Sequence, residues 1–275
     1  GSIQSTLYWD QNTGMPKKGA SWRSDQLTYI AKILHKRNSS EEFLDLIKAA
    51  ENELNSYLET SSNLQIIQSK KRNIELLITE FNRQNNLDPK LVECLARSKS
   101  KGYESWQEAK KKSDFKIFLP FFEDLIKLRI EEANQISDKH TPWETLAQPF
   151  EPDLTLEWLN NIFMPLKETI PSLLSDLKKS EKYHWDLNPE SQQNLCSKLL
   201  DEFGRDKDLV VVAKSPHPFS ITLGPDDYRI TTRIVKGEPF SSFLATAHEW
   251  GHSIYEQGLP SQSHQWFAWP LGQAT

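Results

Sequence analysis

The segment His248-Glu249-Trp250-Gly251-His252 restricts what this chain can fold into more than any other stretch. On a helix, residues i and i+4 lie one turn apart on one face, so His248 and His252 can present two imidazoles to a single metal ion. Glu249 is rotated about 100° from His248, which sets its carboxylate beside the ion rather than on it. A divalent metal lowers the pKa of a bound water to about 7, and a neighbouring carboxylate can take the released proton. Five residues thus offer two metal ligands, His248 and His252, and a general base, Glu249. Only a helix gives that geometry, so the motif demands one. Two ordinary helical histidines with a glutamate between them are the bland alternative.

The flanks agree with a helix. Pro239, Ser241 and Ser242 supply an entry and an N-cap, and Gly258 followed by Pro260 supplies a stop. Phe243, Leu244, Ala247, Gly251 and Ile254 gather on one flank, which is expected to pack inward. Ser241, Ala245 and Glu256 border the ligand side. Gly251 costs helix propensity, and close packing against another element would account for it.

Acidic side chains outnumber basic ones, 38 to 33, for a formal charge of −5. With a pI near 5.9, that balance argues against a nucleic-acid partner. No apolar run approaches the length of a membrane span and no signal-peptide pattern opens the chain, so no membrane partner and a cytoplasmic location are expected. Gly1-Ser2 has the look of a cloning remnant. Cys94 and Cys196 fall in helical patterns and read as buried, reduced thiols. We read 1–275 as a single domain, with a helical region over 1–204 and a small sheet plus the metal-binding helix over 205–275.

Leu7-Tyr8-Trp9-Asp10-Gln11 reads as an apolar-to-polar opening into a loop through Gly14-Met15-Pro16 and Gly19. Helical periodicity then predicts helices over about 21–36, 41–59, 64–85, 89–99, 106–137, 155–182 and 189–203. Asp88 caps the fourth, and Pro120 either kinks the fifth or starts a new helix. Lys110-Lys111-Lys112 reads as a solvated helix face.

Beyond Gly204 the period changes. A short buried strand is expected over 209–213, then strands over 219–223 and 227–235 joined by Gly224-Pro225-Asp226. Along the last, Asp227, Arg229, Thr231 and Arg233 fall on one face and Tyr228, Ile230 and Ile234 on the other. The expected class is therefore mainly α, with a small β-sheet just before the metal-binding helix. An exposed strand edge could hold an extended peptide by backbone hydrogen bonds. Arg229 and Arg233 could pair with acidic groups, including a peptide's terminal carboxylate; the alternative is a surface strand on which Asp227 pairs with Arg229. His217, held extended between Pro216 and Pro218, is either a pocket residue or a loop residue.

A catalytic zinc site takes three protein ligands and an open position. After Glu256 the chain has no Asp or Glu, and His264 is the one remaining candidate. Either His264 completes the site or the third ligand lies beyond Thr275, and the second is expected.

Taken in order, these segments resemble the carboxypeptidase Taq family of zinc-dependent metallocarboxypeptidases. The resemblance runs through Tyr8-Trp9-Asp10-Gln11 with Met15-Pro16, then Trp143-Glu144-Thr145-Leu146 with Phe150-Glu151-Pro152. It continues through His217-Pro218-Phe219 and the Asp-x-Arg-x-Thr motif Asp227-Tyr228-Arg229-Ile230-Thr231. It ends with His248-Glu249-Trp250-Gly251-His252, Tyr255-Glu256-Gln257-Gly258-Leu259 and Pro270-Leu271-Gly272. His-Glu-x-x-His is shared by many families; joined to His-Pro-Phe and Asp-x-Arg-x-Thr it is specific.

The resemblance implies a multi-helix, zincin-like peptidase fold with a long narrow groove. It implies release of single residues from peptides with a free C-terminus, a divalent metal (Zn²⁺, or Co²⁺ in some members) and a homodimer. Members of the family are about twice as long, and their third ligand is the glutamate of a His-Glu-Ser motif after the segment matching Pro270-Leu271-Gly272. By that resemblance the chain is the N-terminal half of such an enzyme, and is expected to be inactive alone if that ligand is missing. His217, Asp227 and Arg229 are candidate substrate-binding or supporting residues. The rival readings are a metallo-oligopeptidase or endopeptidase built on the same helix, and a non-catalytic helical fragment.

Overall fold

In the computed structural model, which describes residues 2–58, 64–137, 139–177 and 187–259, the helical periodicity is realised almost throughout. The helices are α1 (Ser2–Thr13), α2 (Ala20–Asn38), α3 (Glu41–Leu58), α4 (Leu64–Asn85), α5 (Pro89–Lys112), α6 (Leu119–Ile136), α7 (Pro142–Ala147), α8 (Leu156–Asp176) and α9 (Pro189–Glu202). Strands β1 (Val210–Lys214), β2 (Ser220–Gly224) and β3 (Asp227–Thr232) follow, and then α10 (Pro239–Gln257). The class is mainly α with a small sheet preceding α10, as the periodicity implies. No described helix is long and apolar enough to cross a membrane.

The chain divides into two compact units, Met15–Leu146 and Gly1–Gly14 with Ala147–Thr275. In the first, α2 packs along α5, α3 along α4, and α5 along α6. Leu87, Leu91 and Leu95 form its buried cluster, flanked by Val92, Leu125, Leu128 and Ile136. Asp88 caps α5 by accepting from the Lys90 amide at 2.7 Å, with Pro89 in the first turn. Two expectations are corrected here. The break anticipated between 99 and 106 is absent, because Ser100, Gly102 and Ser105 are buried contact positions of a continuous α5. Ser105 donates its hydroxyl to Ile117 O at 2.8 Å, so the small residues serve close packing rather than a turn. The helix ends instead at Ser113, which takes a left-handed conformation at φ 52°, and Pro120 stands in the first turn of the separate α6. Cys94 is exposed, contrary to expectation, whereas Cys196 is buried; neither is in a disulfide.

In the second unit the opening segment is the helix α1, not the entry to a loop. It docks on β2 through its aromatics: Tyr8 and Trp9 meet the Phe219 ring edge-on at 5.3 and 5.8 Å. The sheet order is β1-β3-β2, with β3 parallel to β1 and antiparallel to β2. The turn between β2 and β3 places Asp226 at φ 61°. β1 is only partly buried, since Val211 is exposed. The core of this unit is Leu200, Val210, Tyr228, Ile230 and Trp250, joining α9, the sheet and α10. Burying each large apolar side chain contributes about 1.5–3 kcal/mol, and this cluster seats α10 on β3.

Candidate metal centre

α10 begins at Pro239 and stops at Gly258, whose amide donates to Ile254 O. Its buried face is not the predicted one. Leu244 and Ile254 are 65% and 48% exposed, while Pro239, Ser242, Thr246, Glu249, Trp250 and Ser253 are buried. The helix turns its small hydroxyl residues inward because α9 and the end of β3 offer them hydrogen-bond partners; its apolar contribution to the cluster on the sheet is Trp250. Gly251 is exposed, and among the described residues nothing beyond its own stretch of helix lies within 4 Å of where its Cβ would stand. Among the described residues, close packing therefore does not account for this glycine.

His248 and His252 converge. Their Nε2 atoms lie 3.1 Å apart, with ring centroids at 4.7 Å and planes at 89°. Zinc–imidazole bonds are about 2.0–2.1 Å, so two nitrogens closer than about 4 Å can share one ion, and this pair meets that condition. His248 is exposed and His252 half-buried. Burial, and then the charge of His248, pull the His252 imidazole below its ordinary pKa, which favours the neutral form that binds metal. Glu249 is buried beside them at 7% exposure. Burial pushes its carboxyl above the usual range, with His248 opposing, and no hydrogen-bond partner for it is found among the described residues. Further along α10, burial likewise raises Glu256, which a hydrogen bond from Thr222 counters.

The other candidates sit on the sheet. His217 is exposed on the link between β1 and β2. The backbone of that link is pinned: Ser215 Oγ lies 2.6 Å from both His217 O and Thr231 Oγ1, and the Phe219 amide donates to Thr231 Oγ1 at 2.9 Å. No hydrogen bond or ring contact among the described residues joins His217 to His248 or His252. Asp227 and Arg229 hold each other, Arg229 Nε to Oδ1 at 2.7 Å and Nη2 to Oδ2 at 3.0 Å. The guanidinium also lies over the Trp9 ring at 5.5 Å. This is the intramolecular pairing that spacing two apart on one strand face allows. β3 is the central strand, so its edges are both taken. Among the described residues no group of three or more His, Cys, Asp or Glu is placed to hold a metal. His264 and Pro270-Leu271-Gly272 lie outside the described residues.

Sequence reasoning overlooked Gln192, Thr232 and Thr246 under the helix and read Ser242 as part of the N-cap, whereas the cap position is Glu238 and Ser242 is buried within α10. A signal existed: Ser242, Thr246 and Ser253 recur at helical spacing on the side away from the histidines.

Comparison with known proteins bears on the whole chain. The family model described as "Carboxypeptidase Taq (M32) metallopeptidase" matches residues 1–275. "Thermostable carboxypeptidase 1" of Thermus thermophilus is 28% identical over 280 residues, covering 95% of this chain and 53% of the relative. "Carboxypeptidase 1" of Bacillus subtilis is 28% identical over 259 residues, covering 92% and 50%. Among solved structures, "BsuCP Crystal Structure" superposes with a TM-score of 0.84 at 27% identity, covering 94% of this chain and 51% of that one. "Trypanosoma Cruzi Metallocarboxypeptidase 1" gives 0.77 at 26% identity, covering 97% and 53%. The chain spans about half the length of the curated relatives it matches.

Proposed function

The chain belongs to the carboxypeptidase Taq (M32) metallopeptidase family, and from that premise we propose that α10 is the metal-binding helix of a carboxypeptidase releasing single residues from the C-terminus of peptides. The observation that carries this reading is the 3.1 Å approach of the His248 and His252 Nε2 atoms, with Glu249 buried one residue away. His248 and His252 would hold the divalent ion; imidazole ligands suit zinc, and the resemblance to the family adds cobalt. When bound, the metal supplies Lewis-acid polarisation of the scissile carbonyl and acidifies water. Glu249 takes the proton of the attacking water on a carboxylate oxygen and returns it to the leaving amine. A carboxyl raised by burial is better matched to both transfers than an ordinary one. His217, Asp227 and Arg229 serve substrate binding or support: the Asp227 pair and the Trp9 ring hold the guanidinium of Arg229 in one orientation.

Glu249→Gln is expected to leave metal content unchanged and to lower kcat by at least about 10²-fold. His248→Gln and His252→Gln are each expected to lose the metal on dialysis. Turnover surviving in Glu249→Gln sinks the base assignment, and metal retained in both histidine variants sinks the site. A three-ligand centre is completed either by His264 or by a residue of a longer polypeptide, and His264→Ala separates the two by metal affinity. A peptide amidated at its C-terminus tests the reaction class: a carboxypeptidase leaves it intact, an oligopeptidase cleaves it. The homodimer and the cytoplasmic location belong to the same reading, the first measured by sedimentation and the second by fractionation.

A further inference from the structure

The stripe on which α10 rests is polar and closed to solvent. Ser242 and Thr246 are fully buried, Gln192 is 1% exposed and Thr232 4%. Thr246 Oγ1 donates to Ser242 O at 2.8 Å. With that hydrogen committed, the 2.7 Å contact between Thr232 and Thr246 is a bond donated by Thr232. Ser242 Oγ donates to Gln192 Oε1 at 3.0 Å and accepts from the Val235 amide at 3.1 Å. Gln192 Nε2 completes the set by donating to Leu187 O at 2.9 Å and Val235 O at 3.1 Å. Each side chain finds partners, and the bonds run from Gln192 on α9 to Ser242 and Thr246 on α10 and on to Thr232 at the end of β3.

A satisfied buried network differs from an apolar contact in one respect that matters here. Apolar surfaces can slide or roll slightly at small cost, whereas any roll that separates these partners leaves buried polar atoms unpaired. On the helix Thr246 lies 60° from Glu249 and 160° from His248, taking about 100° per residue. The network thus grips the side that carries the base and faces away from the ligands. A roll of about 10° moves a ring nitrogen held about 6 Å from the axis by about 1 Å. A displacement of that size can cost about 10²-fold in rate.

We propose that Thr246 is a positioning residue which, through Thr232 and the Gln192–Ser242 pair, locks the roll of α10 on the sheet and thereby sets Glu249, His248 and His252 against the substrate. The role rests on the metallocarboxypeptidase reading above.

The test uses the natural polypeptide and its cobalt form. Thr246→Val keeps the shape, removes the hydroxyl and strands that of Thr232; Thr246→Ser keeps the link. Thr246→Val is expected to lower kcat by about ten-fold or more with KM little changed, and to alter the visible absorption spectrum of bound Co²⁺. Thr246→Ser is expected to restore both. Leu91→Ala, in the core of the other unit, is the control: it lowers the unfolding midpoint while leaving kcat and the cobalt spectrum alone. Thr232→Val breaks the same bond from the strand side and is expected to reproduce Thr246→Val, which keeps the comparison available should the first variant not fold. Wild-type kcat and spectrum in the valine variants overturn the proposal, as does a loss no larger than that of Leu91→Ala at equal midpoint, or no rescue by serine. If cobalt binds equally well to His248→Gln and His252→Gln, the metal reading itself fails and takes this role with it. If only the threonine variants behave as wild type, the metal site stands and the positioning role alone falls.

Discussion

Glu249 and Glu104 are both carboxyls raised above their usual range by burial, yet their surroundings give them different meanings. Glu249 lies beside two convergent imidazoles, where a raised pKa suits proton transfer. Glu104 lies in α5 with its Oε1 buried and without a hydrogen-bond partner among the described residues, and Lys101 only partly offsets the burial. A carboxyl raised in the fold binds its proton more tightly there than in the unfolded chain. Its penalty is therefore fully present above the folded pKa and disappears as pH falls through that pKa to below the unfolded value of about 4.3. Glu104→Gln is expected to raise the unfolding midpoint at pH 7 and to leave it unchanged near pH 4, measured by thermal melts across that range. An equal shift at both pH values would show that charge is not the cause. Glu132 makes the contrast at this scale complete: more buried than Glu104, it is held between Arg83 and Arg129, and the two guanidiniums supply what Glu104 lacks.

At the scale of elements, α10 shows how a motif and its setting are specified by different rules. The i, i+4 spacing of His248 and His252 follows from helix geometry alone, so it was legible in the sequence, and so was Glu249 as their neighbour. Which flank of the same helix faces inward was not legible. Counting apolar residues favours Leu244 and Ile254, both exposed, because the hydroxyl acceptors and donors that make Ser242 and Thr246 good buried residues come from Gln192 and Thr232, 50 and 14 residues away. Gly251 offers a direct check. With open space where its Cβ would stand, Gly251→Ala is expected to stabilise the helix by about 0.5–1 kcal/mol, read from denaturant unfolding. Destabilisation would refute the reading of open space at that position. α1 and α5 carry the same lesson. Tyr8 and Trp9 find their partner in Phe219, and the small residues of α5 read as a break until neighbouring helices come close enough to need them.

On the scale of the whole molecule, each unit has its own buried cluster, Leu87, Leu91 and Leu95 in one and Leu200, Val210, Tyr228, Ile230 and Trp250 in the other. Truncating a fully buried aliphatic side chain costs about 2–5 kcal/mol. Leu91→Ala is thus expected to speed hydrogen exchange first among the amides of Met15–Leu146, and Ile230→Ala first among those of β3 and α10. Exchange rising uniformly along the chain in both variants would show that the two clusters unfold as one.

Periodicity, capping residues and the spacing of two histidines are local properties, and they determined the helical class, the sheet ahead of α10 and the convergence of two imidazoles with a carboxyl beside them. The pairing of Asp227 with Arg229, the docking of α1 and the polar underside of α10 were decided only by tertiary structure. Each depends on which distant atoms meet, and hydrogen-bond and packing energies vanish over a few ångströms, a distance that sequence separation does not measure.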